Sequence, residues 1–208
     1  MDQLDIFGGI NLHNTVLSGL IDYQPGLFTR LESDRLLKKL VVEVPWEQKS
    51  ITMYGKAMLT PRLNAWFGDQ DADYSIIGDG SKPLPWTEDL LFIRERVEKA
   101  SGTKFNSVLL NFYRNGNDSV AWHDDMDKIP GRNRTVGSVS FGEIRLFDIR
   151  NKADHKMKFS IPLEHGSYML MKGDFQQDWD HRIAKSTKPM KERINLTFRI
   201  SRTKDDVL

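Results

Sequence analysis

The sequence predicts a mainly β fold with flanking helices (α+β), its antiparallel strands forming a sandwich or jelly roll. Two observations predict it. From Lys104 onward, short alternating runs separated by turn residues follow one another over 108–113, 135–141, 144–149, 157–163, 167–171 and 193–200. The links between them, such as Arg114-Asn115-Gly116-Asn117 and Asn151-Lys152-Ala153-Asp154, suit antiparallel neighbours rather than βαβ units.

Taken in order, residues 1–25 carry the weakest signal, and residues 29–40 place Leu31, Leu36, Leu37 and Leu40 among charges as an amphipathic helix. Residues 44–86, with Trp46, Tyr54, Trp66, Phe67 and Tyr74, read as irregular hairpins forming a lid on the later core. The clearest helix begins at Thr87, an N-cap followed by Glu88 and Asp89 in the first turn, runs through Leu90, Leu91, Ile93, Arg94 and Val97, and closes at Gly102. No period of 20 to 50 residues repeats, so the 208 residues read as one domain: an N-terminal extension and helix (about 1–44), the lid (45–86), and a helix with the strand-rich core (87–203).

Composition narrows the chemistry. With no Cys there is no disulfide framework, iron-sulfur cluster, thiolate nucleophile or Cys-rich zinc ribbon, so any metal sits on His, Asp or Glu. Thirty Lys and Arg against 29 Asp and Glu leave +1, no global field for a polyanion, so a nucleic-acid partner needs a local patch. No apolar run is long enough to span a membrane, and the N-terminus lacks the basic start of a signal peptide; an intracellular monomer is expected, cytoplasmic if the source is bacterial.

Five His are present: His13, His123, His155, His165 and His181. His123 and Asp125 form His-x-Asp after a strand expected over 119–122, and in extended chain residues i and i+2 share a face, so both side chains can converge on one ion. A hydrogen-bonded surface pair has the same sequence. A third ligand is available in His181, about 58 residues later, where antiparallel return brings the chain back; two His and one carboxylate on one side of an ion are the facial arrangement of non-haem Fe(II) oxygenases. The last strand has a clean period of two, with Ile194, Leu196, Phe198 and Ile200 on one face and Arg193, Asn195, Thr197 and Arg199 on the other. A solvated polar face explains that pattern; so do two arginines reaching inward to a small dicarboxylate beside the metal, which would be 2-oxoglutarate.

On these residues the chain resembles the AlkB family of Fe(II)/2-oxoglutarate-dependent dioxygenases, nucleic-acid dealkylation repair enzymes. The resemblance spans about 45–200. Its anchor is Asn111-Phe112-Tyr113-Arg114-Asn115-Gly116-Asn117-Asp118 running into His123-Asp124-Asp125, joined by Ser138-Val139-Ser140-Phe141-Gly142, His165-Gly166-Ser167 and Arg193-Ile194-Asn195-Leu196-Thr197-Phe198-Arg199. Pro61-Arg62-Leu63-Asn64-Ala65-Trp66-Phe67-Gly68 points to the branch of the human-type repair members. The resemblance implies a double-stranded β-helix (jelly roll) core with an N-terminal helix and a nucleotide-recognition lid. It implies that His123, Asp125 and His181 are catalytic metal ligands for Fe(II), with Asp124 facing away. Asn111, Tyr113, Arg193, Asn195 and Arg199 would hold 2-oxoglutarate, which arm takes which carboxylate being left open, and O2 completes the reactants.

The same resemblance implies an oxidative demethylase acting on 1-methyladenine and 3-methylcytosine in DNA, RNA also being open, with a flipped base held by stacking and edge contacts. Tyr74 and Ser75 fall at its aromatic-Ser pair, Asp127 at the acidic position facing an exocyclic amine, and Tyr54-Gly55-Lys56 at the hairpin that wedges into duplexes; Ala72 departs from the Tyr of close relatives. Arg62 and Trp179 are expected near base or phosphate, or alternatively as packing. Basic groups cluster at Lys128, Arg132 and Arg134, at Arg150, Lys152, Lys156 and Lys158, and at Arg182, Lys185, Lys188 and Lys191, as phosphate contacts or as solvated loops. His13, His155 and His165 are read as outside the site. Two other readings share these residues: the same oxygenase chemistry on tRNA or protein, and a non-catalytic nucleic-acid-binding jelly roll.

Overall fold

The computed structural model describes residues 16–53, 56–70, 82–125 and 135–201. Its elements are β1 (Ile21–Gln24), α1 (Arg30–Glu43), β2 (Ser50–Met53), β3 (Lys56–Leu59), β4 (Leu63–Gly68), α2 (Glu88–Ser101), β5 (Ser107–Tyr113), β6 (Val120–His123), β7 (Val136–Gly142), β8 (Arg145–Asn151), β9 (Lys158–Leu163), β10 (Ser167–Met171), α3 (Phe175–Asp178), β11 (Trp179–Ile183) and β12 (Arg193–Arg199). The ladders are antiparallel and form a six-stranded sheet, β1-β10-β7-β12-β5-β4, a four-stranded sheet, β6-β11-β8-β9, and the ribbon β2-β3. The two larger sheets face each other as a jelly roll, as expected.

The two long helices, α1 and α2, start where their caps direct. Thr29 and Glu32 form a capping box on α1, each side chain satisfying a backbone N–H of the other's turn. Thr87 caps α2, and Gly102 ends it at φ 67°, a left-handed conformation that suits glycine. Leu36 and Leu40 of α1 and Leu90, Ile93 and Val97 of α2 pack on Val108, Leu110, Val139, Phe141, Leu196 and Phe198, closing one face of the six-stranded sheet. Leu90, Ile93 and Val97 are fully buried, so shortening either of the two larger ones to Ala would cost about 2–5 kcal/mol. The other face of that sheet looks at the four-stranded sheet across Val136, Phe147, Ile149, Ile161, Met169, Met171 and Ile183. Polar residues replace that apolar filling at one end, and there the candidate site lies.

Three sequence expectations shift. Leu31 is 81% exposed, because at 100° per residue it stands about 140° from Leu36; α1 also continues to Glu43, past residue 40. The strand expected over 119–122 is β6, which takes in His123 itself. Part of the segment read as a lid is sheet: β4 pairs with β5 from Leu63↔Phe112 to Gly68↔Ser107, with Phe67 in the core. Its burial does not alternate, since the strand is covered on both sides, so a period-two search passes over it.

Candidate active site

β6 and β11 pair so that His123 lies directly opposite His181, and the extended step from His123 to Asp125 brings the carboxylate between them. His181 Nε2 is 3.5 Å from Asp125 Oδ2, His123 Nε2 is 3.7 Å from Asp125 Oδ1, and one ligand atom from each residue lies within 4.8 Å of the others. The predicted triad is therefore assembled. His181 is gripped by packing, its ring stacked 4.8 Å from Phe147 and 6.1 Å from Phe175. His123 stands nearer the mouth and is oriented by its own strand, Nδ1 lying 2.8 Å from the Ala121 carbonyl; donation there leaves the Nε2 lone pair facing the triad.

Charge prepares the same three groups. Burial would raise the Asp125 carboxyl, but the Arg199 guanidinium and the two imidazoles outweigh it and hold the group far below the usual carboxylate range. Burial, and next the neighbouring His181, push the His123 imidazole below its ordinary value. At neutral pH the site thus presents an anionic oxygen and a neutral imidazole, the protonation states a divalent metal requires. Asp124 borders the cavity but is engaged by Lys152 at 2.6 Å, so its carboxylate is committed to an ion pair outside the triad.

Next to the triad is a cavity of about 290 Å³. Its polar wall is one face of β12: Arg193, Asn195, Thr197 and Arg199 all line it, with Asn111 and Tyr113 from β5 and Ser138 from β7, while Ile194, Leu196 and Phe198 point the other way into the core. The solvated-face explanation fails, because Arg193 is 1% exposed. Asn195 donates through Nδ2 to Ser138 Oγ at 2.8 Å and accepts through Oδ1 from Thr197 Oγ1 at 3.1 Å; Asn111 Oδ1 accepts from Asn64 Nδ2 and Arg62 Nε, both at 2.8 Å. Arg199 Nη2 donates to Asp125 Oδ1, so this arginine stands at the triad. Arg193 stands six residues away along the strand, its Nη2 donating to Ser140 Oγ at 2.9 Å and its Cζ 5.1 Å from the Tyr113 ring. Five buried side-chain polar atoms among the described residues have no hydrogen-bond partner, and four of them belong to cavity residues: His181 Nδ1, Arg193 Nε and Nη1, and Arg199 Nε. Unsatisfied groups concentrated in this way have the donor chemistry of a receptor for a small anion beside a metal.

Arg62 lies in the cavity wall, reaching the Ser119 carbonyl at 3.4 Å as well as Asn111. Trp179 is instead core, 3% exposed and packed 5.9 Å from Phe159. Arg150 and Arg182 are committed to Asp180 and Asp148, at 2.8 and 2.9 Å, rather than displayed for phosphate. His165 is structural, linking the Gly142 N–H to Asp34 of α1. Tyr54, Tyr74, Ser75, Asp127, Ala72, His13 and the cluster of Lys128, Arg132 and Arg134 lie outside the described residues.

One residue of the site had no sequence signal. Gln176, 1% exposed on α3, accepts the Asp125 backbone N–H at 2.9 Å through its side chain. Nothing in Phe175-Gln176-Gln177-Asp178 distinguishes it from Gln177; only the fold does.

Comparison with known proteins matches this geometry. Residues 21–199 match the family model described as the 2OG-Fe(II) oxygenase superfamily. The chain is 37% identical over 198 residues to the human protein named alpha-ketoglutarate-dependent dioxygenase alkB homolog 3, covering 91% of this chain and 68% of that protein. The bovine protein of the same name is 37% identical over 183 residues, and the match takes in 84% of this chain but 64% of that protein, less than two thirds of its length. Human DNA oxidative demethylase ALKBH2 is 32% identical over 183 residues, 83% of this chain and 70% of that protein. The solved structure of OsALKBH1 superposes with a TM-score of 0.62 over 86% of this chain and 97% of that one at 17% identity, a likeness of fold.

Proposed function

Because the chain belongs to the AlkB family of 2OG-Fe(II) oxygenases, we propose that it is an Fe(II)- and 2-oxoglutarate-dependent demethylase of N-alkylated bases, 1-methyladenine and 3-methylcytosine, in DNA, with RNA left open as a second substrate. The observation that carries this reading is the triad of His123, Asp125 and His181 opening onto a cavity in which two arginines keep unsatisfied N–H groups. The donor set, two imidazoles and a carboxylate on one side, fits Fe(II) with positions to spare.

Fe(II), when bound, supplies the oxidising chemistry that couples O2 and 2-oxoglutarate, leaving as succinate and CO2, to hydroxylation of an N-methyl carbon, whose hemiaminal then sheds formaldehyde. The chain's own residues bind and orient. Arg199, at the triad, takes the carboxylate next to the 2-oxo group, and Arg193, deeper along β12, takes the distal one, with Tyr113, Asn195 and Asn111 shaping the space between. The apolar floor of Phe147, Leu163, Met171 and Ile183 excludes water.

Substrate assignment rests on the sequence positions of Tyr74 and Ser75 for stacking, Asp127 for the exocyclic amine, Tyr54 for the duplex wedge and Arg62 at the mouth, with support from the name of the ALKBH2 relative. The test is mass spectrometry of methylated oligonucleotides, single-stranded and duplex, incubated with the protein, Fe(II), 2-oxoglutarate and ascorbate. Loss of one methylene that requires 2-oxoglutarate and vanishes in His123→Ala supports the reading. Succinate formation without loss moves the substrate elsewhere, and the absence of both mass loss and succinate refutes the enzyme reading.

A further inference from the structure

His181 is held by two phenyl rings, whereas His123, with 37% of its side chain exposed, sits on a short edge strand and makes its ring contact with His181 itself, at 4.3 Å. The ladder is interrupted beside it. His123 pairs with His181 and Val120 with Ile183, so three steps along β6 answer two along β11, an irregularity that locally breaks the ladder and bends the strand.

The fixture lies on the opposite side of the sheet. Adjacent strand residues point to opposite faces, so while His123 turns in towards the triad, Trp122 turns out. There two guanidinium groups stack on its ring, Arg150 of β8 and Arg182 of β11, each with Cζ 4.4 Å from the ring centre. Neither cation is free to leave: Arg150 donates to Asp180 at 2.8 and 3.1 Å, Arg182 donates to Asp148 at 2.9 Å, and Asp148 also accepts from Ser160 at 2.7 Å. Trp is the strongest of the cation–π acceptors, so two anchored guanidiniums on one indole tie the outer face of β6 to its neighbour β11 and, across it, to β8.

We propose that Trp122 is a positioning residue for His123: with its ring gripped by Arg150 and Arg182, it sets the inward imidazole in metal-binding geometry before the ion arrives. Transmission is short. The His123 ring is tied to the Ala121 carbonyl on the same strand, so where β6 lies and how the imidazole points are one variable. The inference rests on the reading of His123, Asp125 and His181 as ligands.

Cobalt(II) titration of the full-length protein, followed by its visible absorption, tests both levels separately. Trp122→Leu is expected to bind Co(II) about tenfold more weakly or worse, with an altered visible band, as loss of outer support for a ligand does elsewhere. Trp122→Phe, which still offers an aromatic face, should return to within about threefold of the parent, and the metal-free variants should melt within a few degrees of it. Parental affinity in Trp122→Leu while His123→Ala loses binding would overturn the positioning role alone. Parental affinity in His123→Ala would overturn the ligand assignment and this inference with it. Should Trp122→Leu fail to fold, Arg150→Met with Arg182→Met keeps the indole and removes its grip; weaker Co(II) binding then supports the role, and unchanged binding refutes it.

Discussion

Replacing Arg193 with Met should make the ligand-free protein more stable and the cosubstrate site nearly useless. Arg193 is a buried cation, and burial first, with the neighbouring Arg145 cation adding to it against the pull of Tyr113, brings its pKa below the ordinary guanidinium range, to about 10. At about 1.36 kcal/mol per pKa unit, holding the charge in place costs the native state about 3 kcal/mol at neutral pH, where the group is cationic both folded and unfolded. Met fills similar volume without the charge. It gives up the hydrogen bond to Ser140 and the cation–π contact with Tyr113, about 1 kcal/mol each, so a net gain of about 1 kcal/mol remains, or about 2–4 °C in Tm for a chain of this size. Binding moves the other way. Removing one partner of a buried charge pair costs about 2–5 kcal/mol, a loss of about 30-fold to several thousand-fold in 2-oxoglutarate affinity. Thermal melting without ligand and calorimetric titration of the Mn(II)-loaded protein read the two halves. A variant that binds 2-oxoglutarate within about threefold of the parent, or that melts lower without ligand, refutes the account of Arg193 as a charge held in reserve for an anion.

Gln176→Leu removes the acceptor of the Asp125 backbone N–H, a buried donor whose loss of partner costs about 1–3 kcal/mol; Co(II) affinity should fall about tenfold, measured by titration. Glu32 is held down to about 2 by its hydrogen bonds to Arg96 and, next, to the Thr29 N–H, so its contribution is complete above about pH 4.5 and is lost as pH falls towards 2. Glu32→Gln, which keeps the cap but not the charge, should therefore cost up to about 1 kcal/mol at pH 7, and urea melts of the two proteins should converge between pH 4.5 and 2. Gly166→Ala forces a side chain into φ +82° with its Cβ 2.4 Å from Ser33 Oγ and 2.7 Å from the Phe28 carbonyl; a loss of about 2 kcal/mol or more in thermal stability is expected. Adding Ser33→Ala should not restore it, because the second obstacle is backbone.

The parts of the molecule legible in the sequence are those with a local cause. The caps of α2 are chemistry of single residues, and β12 announces both of its faces through a period of two. His-x-Asp needs only the geometry of extended chain, and His181 follows from antiparallel return, which the β6–β11 pairing realises. What escaped has a non-local cause. β4 is covered on both sides and shows no alternation; Arg150 and Arg182 meet their carboxylates through cross-strand register, which no pattern within one strand encodes. Gln176 acts through one hydrogen bond delivered by a four-residue helix. For Trp179 the sequence leaves substrate contact and packing equally open, and the structure selects packing: on a strand the residue two before a ligand shares its face, and here that face is the apolar interior.

β12 runs between β7 and β5, so Arg193 to Phe198 have paired partners on both sides, while β6 hangs on the margin of the smaller sheet by an irregular ladder. Amides in the middle of such a sheet exchange with solvent only through near-global opening, and amides at a margin through local opening. The anion-holding half of the site is thus carried on a strand paired along both edges, whose amides are expected to exchange slowly. An insertion or deletion within β12 would swap its two faces, sending arginines into the core and Ile194, Leu196 and Phe198 into the cavity. Such a lesion removes fold and cosubstrate site in one event, so a lineage of these chains can rewrite what enters at the margins far more readily than the reaction it carries at the centre.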